Sequence, residues 1–294
     1  TSLNTVTDYL CQNQDKHVIL SVLSASQTLI KNRIIPDFVV ISDAGVANIL
    51  HAYELPENII VFASVYASSA LLSKIKNPVV FYDLPMELEN PSYQLQNPTV
   101  AMDAGEIAIR LSAQKPIFVG LDLAYSKKFG THSRHNAISR LRESKQNRLH
   151  TSLSAQYGFF LRKDLKKVTE TIITTDGFTM IGEAVDKKFA GSMVYANGIE
   201  FKNIQRVSSL QDFEIKQKAM EIEKIQSNFQ PIDTIGDMIE SSLQKIEGNL
   251  ESKEMNHTIF KREILGGIEL SPYIEHYRQK TIKLSNHKPY SQSK

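Results

Sequence analysis

The 294 residues suffice for one large domain or two ordinary ones. With 34 Lys and Arg against 32 Asp and Glu, 41% apolar and 22% charged residues, the composition is that of a globular protein. It excludes a disordered, collagen-like or highly charged tail protein. The single cysteine, Cys11, excludes a disulfide scaffold and any zinc site built from several thiolates, and points to a reducing cytoplasm.

No apolar run approaches the roughly 18–20 residues needed to span a bilayer, and no secretory signal opens the chain. The first residue is Thr1 rather than Met, so residues upstream of it are expected.

Taken in order, the first part alternates short β-rich runs with helical patterns. Residues 17–23 (HVILSVL) predict a buried strand and 25–32 a short helix that closes before Ile34-Ile35-Pro36. Residues 37–42 (DFVVIS) predict a second strand, and 44–53 a helix. Residues 58–63 (NIIVFA) predict a third strand, followed by a helix over 67–74; residues 78–82 (PVVFY) predict a fourth. A Pro- and Asn-rich loop covers 84–98. A helix over 102–113 carries Ile107, Ala108 and Leu111 at core spacing, and residues 116–120 (PIFVG) predict a fifth strand. Five continuous apolar strands separated by helices imply a parallel sheet covered on both faces. Right-handed crossovers make it an α/β, Rossmann-like, doubly wound sheet, whose ligands sit beyond the carboxyl ends of the strands.

Beyond Gly120 the pattern changes. Residues 121–150 are polar and basic, 153–168 read as helical, and 171–175 and 199–204 as short strands. Gly177, Gly182, Gly191 and Gly198 mark turns between them. Two domains are expected: 1–205, Rossmann-like with a basic insertion at 126–167, and 206–294, helical. In the second, Ile215, Ala219, Ile222 and Ile225 form one apolar stripe, and Ile235, Ile239, Leu243, Ile246 and Leu250 another. Such stripes are packing surfaces that cap the sheet or pair two subunits.

Charge is segregated. Residues 126–167 carry eleven Lys and Arg against Glu143 and Asp164 only, within a body that is otherwise slightly acidic. A solvated helix face explains such a run; so does an anionic partner at one place.

Three aspartates follow strand ends: Asp43, Asp83 and Asp122. A carboxylate there can hold a divalent ion, accept ribose hydroxyl protons or act as a general base. It can equally cap a helix or a turn, and for Asp43 the two readings weigh the same. After Asp122 the run GLDLAYSKKFGTHSRHNA brings Tyr125, Lys127, Thr131, His132 and Arg134 into one loop. His132 can serve as base or acid near neutrality, and Arg134, Arg140 and Arg142 can clamp a phosphate or a carboxylate. The sequence contains no GxGxxG, Walker A loop, HExxH, GxSxG or CxxC. A glycine-rich phosphate loop would have to precede Thr1.

Three stretches carry a family resemblance: IIPDFVVISD (34–43), AGEIAIRLSAQKPIFVGLDLAYS (104–126) and GTH (130–132). Together they resemble the motility-associated factor (Maf) glycosyltransferases, whose shared domain is also called 6-hydroxymethylpterin diphosphokinase MptE-like. The likeness runs over roughly residues 1–205. It departs from the family in lacking an opening strand with a G-x-G-P-S turn, for which only Thr1-Ser2-Leu3 stands, and in having Leu121 where Gln is usual.

The resemblance implies a sialyltransferase-like fold and transfer of a nonulosonic acid, of pseudaminic or legionaminic type, from its CMP conjugate to Ser or Thr of flagellin. The site residues are then Asp122 and His132 as catalytic groups, with Asp43, Asp83, Tyr125, Lys127, Thr131 and Arg134 binding the nucleotide-sugar. No tightly bound cofactor is expected, and dependence on a divalent metal stays open. The archaeal branch of the domain offers an alternative: a pterin pyrophosphokinase using ATP and magnesium, with Asp43, Asp83 and Asp122 as metal ligands. A non-catalytic member that binds an anionic partner through 126–167 is a third reading. Nucleic acid ranks last as that partner, since no RNA-binding motif is present.

Overall fold

The computed structural model describes residues 2–45, 48–53, 55–64, 67–82, 97–111, 114–126, 144 and 162–227. The chain divides into two units, Thr1–Asp83 with Leu95–Ser227, and Leu84–Gln94 with Asn228–Lys294. Only the first contains described residues.

Its centre is a four-stranded parallel sheet in the order β1 (Leu20–Val22), β2 (Phe38–Ile41), β3 (Ile60–Ser64), β4 (Val79–Tyr82). Every residue of β2 and β3 is buried, whereas β1 and β4 are partly exposed. The continuous apolar runs FVVI and IVFA are therefore the two inner strands, covered above and below. Each fully buried Val or Ile there contributes on the order of 1.5–3 kcal/mol.

The connections are α2 (Leu23–Lys31), α3 (Ile49–Ala52) and α4 (Ser69–Leu72), preceded by α1 (Thr7–Asn13). α2 stops where the sequence expects. Arg33 takes a left-handed conformation (φ 62°), and Arg33 N and Ile34 N donate to the carbonyls of Ile30 and Leu29. The fully buried Gln27 amide donates to the carbonyls of Leu50 and His51, fastening α2 to α3.

The strand order then reverses. α5 (Val100–Leu111) packs on β1 and β2, returning the chain from β4 across the sheet to β5 (Ile117–Phe118). β5 pairs in parallel with β9 (Val194–Tyr195), which pairs with β10 (Gln205–Arg206). Because the crossovers up to β4 run one way and the next runs the other, right-handed connections put α5 on the opposite face from α2–α4. This is the doubly wound arrangement that the alternation predicts.

A small antiparallel sheet orders β6 (Tyr125–Ser126), β8 (Ile172–Thr175) and β7 (Leu165–Lys167). β6 and β7 bracket the basic insertion. Residues 165–167 are thus strand rather than the tail of a helix. The chain also forms a helix where glycines suggest turns: α6 (Asp176–Phe189) contains Gly177 and Gly182. Thr175 caps it by accepting a bond from Phe178 N at 3.2 Å. Gly182 gives room to its neighbours, since a Cβ there would lie 3.3 Å from Ile199 Cδ1. The expected strand over 199–204 is displaced into β9 and β10 on either side of it.

Residues 206–227 belong to this unit. Lys16 pairs with Glu214 at 3.3 Å, and Lys218 of α7 (Lys218–Gln226) pairs with Asp37 at 2.9 Å and donates to the Gln14 carbonyl at 2.7 Å. The second apolar stripe, from Ile235 to Leu250, lies outside the described residues.

α5 touches the core most closely at Gly105, where a Cβ would meet the ring of Phe189 at 2.8 Å and that of Phe118 at 2.9 Å. Both rings are buried and stack edge-on to each other at 5.4 Å. Helix propensity alone favours Ala over Gly by about 1 kcal/mol, while overpacking a filled core costs about 1–3 kcal/mol. Gly105→Ala is therefore expected to lower stability by about 1 kcal/mol in urea unfolding. A raised midpoint would show that the rings yield.

Candidate functional site at the strand carboxyl ends

β1 and β5 belong to different hydrogen-bonded sheets, and residues of both line a cavity of about 410 Å³. Leu20 and Val22 contribute from β1, Ile117 and Phe118 from β5, and Ala108 from α5. At the carboxyl ends of the strands it is bounded by Ser21, Val22, Ala25, Gly120 and Leu121. This is the switch point of the winding, where such sheets bind ligands. β1 runs straight into α2 through Val22-Leu23-Ser24 with no glycine, and Ser2–Thr5 is a 3-10 turn rather than the end of a strand. Phosphate binding at this helix start cannot therefore use a glycine-rich turn.

The Asp122 loop is fixed by close backbone approaches. Gly120 has φ 79°, and a Cβ there would meet Leu3 Cβ at 2.8 Å. Leu121 bridges to Gly198, whose φ is 120° and whose added Cβ would lie 2.4 Å from the Leu121 carbonyl oxygen. Only glycine fits there. Asn197 completes the clasp: it accepts from Gly120 N at 2.9 Å and donates to the Ser2 carbonyl at 2.9 Å.

Within this frame the Asp122 carboxylate accepts the Ser2 amide, at 3.0 Å to Oδ2 and 3.2 Å to Oδ1. A carboxylate has about four lone-pair sites, so this bond leaves acceptor capacity for a ligand. Leu123 adopts φ 44°, a strained conformation for leucine, and its carbonyl takes the Thr174 hydroxyl at 2.9 Å. Tyr125 is 4% exposed in β6, paired with Ile173 of β8.

Asp43, just past β2, is exposed. Its carboxylate accepts Gly45 N at 2.7 Å and its carbonyl accepts Ser68 N at 3.2 Å, which is a turn-capping geometry. The structure thus describes Asp43, Asp122 and Tyr125. Asp83, Lys127, Thr131, His132 and Arg134 lie outside the described residues. Among the described residues no group of three or more His, Cys, Asp or Glu side chains gathers as a metal site.

Sequence reasoning passed over one buried carboxylate at this rim. Asp103, in the first turn of α5, is 4% exposed. It accepts the Tyr82 hydroxyl at 3.2 Å and the Asn97 amide at 2.6 Å. Tyr82 ends β4, so the carboxylate ties the first turn of α5 to that strand end. Asn97 also bonds Glu106 at 3.2 Å and accepts from Lys188 of α6 at 2.7 Å, and Lys188 pairs with Glu106. Burial pushes the Asp103 carboxyl above its ordinary range; the bonds from Asn97 and Tyr82 oppose this, and Glu106 adds to it. The signal was present in the sequence: Asp103 lies one helical turn from Ile107, on the apolar side of an otherwise ordinary amphipathic helix.

These features define a class: an α/β protein of Rossmann-like winding whose crevice opens where its strand order reverses. The family model described as 6-hydroxymethylpterin diphosphokinase MptE-like matches residues 2–128. That range contains the 34–43 and 104–126 motifs and ends just before Gly130-Thr131-His132. A solved structure of the MAf glycosyltransferase from Magnetospirillum magneticum AMB-1 shares the fold, with TM-score 0.54 and 18% sequence identity over 78% of this chain and 36% of that one. This chain thus spans about a third of that protein's length. None of the curated proteins compared matches it. The matched range covers less than half of the chain, and the solved structure shows a shared fold. Among the described residues no helix is long and apolar enough to cross a membrane.

The raised Asp103 carboxyl makes a pH prediction. An acid whose folded pKa exceeds its unfolded value binds more protons when folded, so its contribution is full at low pH and is lost as pH rises through the folded pKa. Asp103→Asn removes that titration. The stability of the wild type relative to the variant should fall from about pH 4 towards neutrality, read by urea unfolding across pH. A difference that grows with pH would show that the ionised carboxylate is favoured in the folded state.

Proposed function

We propose that this chain is a glycosyltransferase of the Maf kind, acting in the cytoplasm. It moves a nonulosonic acid, of pseudaminic or legionaminic type, from a CMP conjugate to Ser or Thr hydroxyls of flagellin. The observation that supports this reading is the largely apolar cavity between β1 and β5, bounded by Gly120 and Leu121 just before Asp122, in a fold shared with a Maf glycosyltransferase. A CMP-sugar carries a phosphate and a carboxylate, and the segment 126–167 that leaves β6 is rich in Lys and Arg, of which Arg162 and Lys166 pair with Asp164 and Asp176.

In the reaction the acceptor oxygen bonds to the anomeric carbon as the bond from that carbon to the phosphate oxygen breaks. The electron pair leaves with CMP, and the acceptor proton passes to a base. His132 or Asp122 takes that proton. Lys127 and Arg134 stabilise the departing phosphate. Asp43, Asp83 and Thr131 bind hydroxyls of the donor, and Tyr125, buried in β6, supports the loop from below. The helical C-terminal region pairs two copies of the chain.

Thermal shift tests this directly. A ligand that prefers the folded state adds about 2.7 kcal/mol at a concentration about 100 times its Kd. CMP alone is expected to raise the melting temperature, while a short oligonucleotide does nothing. A shift that requires ATP and magnesium, with none from CMP, would instead support the pyrophosphokinase. With a CMP-sugar donor, Asp122→Asn should reduce turnover by about a hundredfold or more; full turnover removes Asp122 from the catalytic groups.

A further inference from the structure

Among the described residues β1 has one strand neighbour, β2, and β5 has one, β9. Along a parallel strand, alternate residues turn their backbone N–H and C=O groups to opposite edges. The carbonyls of Pro116 and Phe118 face β9, accepting Val194 N at 3.1 Å and Ala196 N at 3.0 Å. Ile117 and Val119 therefore turn theirs to the other edge, towards the cavity that both residues line. Likewise Ile19 faces β2, its carbonyl accepting Asp37 N at 2.9 Å and Phe38 N at 3.2 Å, and Leu20 turns its own groups to the cavity. Two ladder edges thus face one apolar space, and buried backbone groups need partners. The space is also covered as a central strand would be. Leu10 of α1 with Ala25 and Leu29 of α2 line one wall, and Ala104, Gly105 and Ala108 of α5 line the opposite one. An apolar small molecule would suit these walls but not the edges of β1 and β5; an extended apolar segment suits both.

We propose that the cavity is a docking slot for one apolar β-strand, parallel to β1 and β5 and leading directly into Ser2. Direction and attachment come from the place of Ser2 and Leu3. Ser2 N donates to the Asp122 carboxylate, and Leu3 lies against Gly120, at the carboxyl mouth of the cavity. A parallel strand in the slot ends at that mouth. From there it has to reach the start of β1 by a crossover of about a dozen residues or more, usually helical. Residues 2–19, with α1 among them, form such a return. The handedness agrees as well. A step from the slot to β1 runs in the same direction as the step from β1 to β2, so right-handed connections put α1 on the face of α2. Leu10 of α1 does share a buried cluster with Leu29 of α2. To match residues 19–22 on one side and 116–119 on the other, the strand needs about four or five residues. The mouth at Gly120 and Leu121 stays open to a ligand, so the slot is independent of the transferase reading.

Amide hydrogen exchange tests the slot. The polypeptide Thr1–Lys294 is compared with one that also carries the residues encoded ahead of Thr1. With those residues present, the amides of Leu20, Ile117 and Val119 should exchange about a hundredfold more slowly or better, and an apolar run of about four or five residues next to Ser2 should be protected with them. Equal rates at the three amides, or no such run ahead of Ser2, overturn the proposal. Protection in Thr1–Lys294 that grows with protein concentration assigns the slot to a second copy and overturns it too. A change of volume gives an independent readout. Ala108→Leu should raise the urea midpoint of Thr1–Lys294, where it fills space, and lower that of the longer protein, where it crowds the strand. The same sign in both overturns the proposal. If only the longer protein folds, the test is whether its three amides are protected to the level of β2 and β3 and whether Ala108→Leu lowers its midpoint; failure of either overturns the proposal.

Discussion

A parallel sheet cannot be joined by hairpins; each strand must be reached by a crossover. Here the crossovers run in one direction from β1 to β4 and in the other from β4 to β5. That reversal is the constraint on which the molecule depends. It places α5 on the far face and sends β1 and β5 apart as edges of two hydrogen-bonded sheets. The cavity between them follows from it, as does the position of the Asp122 loop at the cavity's carboxyl end. The cavity is thus a product of chain direction before any side chain is chosen.

Side chains then do two kinds of work at the rim. On the β5 side the control is steric: Gly198 lets two backbones approach to a distance that no Cβ tolerates, and Asn197 and Ser2 tie the loop down by hydrogen bonds. On the β2 and β4 side the control is polar. A buried carboxylate would be costly alone, but the Tyr82 hydroxyl and the Asn97 amide donate to Asp103 and tie α5 to the end of β4. A filled steric contact resists any change of shape. A hydrogen-bonded junction resists only movement that breaks its bonds, and it can be loosened one donor at a time.

The inner strands were legible because burial on both faces demands the unbroken apolar runs FVVI and IVFA, which no exposed element would carry. Asp43 and Asp122 were legible as residues that follow strand ends, because the apolar runs before them mark where β2 and β5 stop. Other features were hidden by opposing local preferences. Glycine disfavours helix by about 1 kcal/mol per residue, so Gly177 and Gly182 read as turns. The Thr175 cap and the close approach of Ile199 outweigh that preference, and α6 forms. α1 was missed because its seven residues are mostly polar and make only a narrow apolar face, with Thr7 and Leu10 buried. Asp103 escaped because a carboxylate on a helix normally faces water. Its partners come from residues 82 and 97, which no local pattern brings together.

The absence of glycine where β1 meets α2 bears on how a nucleotide would be held. In the dinucleotide-binding version of this fold, a glycine turn there lets phosphate oxygens sit against bare backbone amides. In this chain Val22, Leu23 and Ser24 occupy that turn, with Leu23 buried and no side-chain cap on the helix. Side chains therefore narrow the approach to the helix start, and charge for a phosphate has to come from elsewhere. The richest source in the sequence is the insertion bracketed by β6 and β7, whose first strand directly continues the Asp122 loop. Under the proposed transferase reading, anion recognition moves from the backbone of the first turn to the cationic side chains of an inserted segment. Such a site depends more steeply on ionic strength than a glycine-turn site does, because exposed charges are screened within about 8–10 Å at physiological salt.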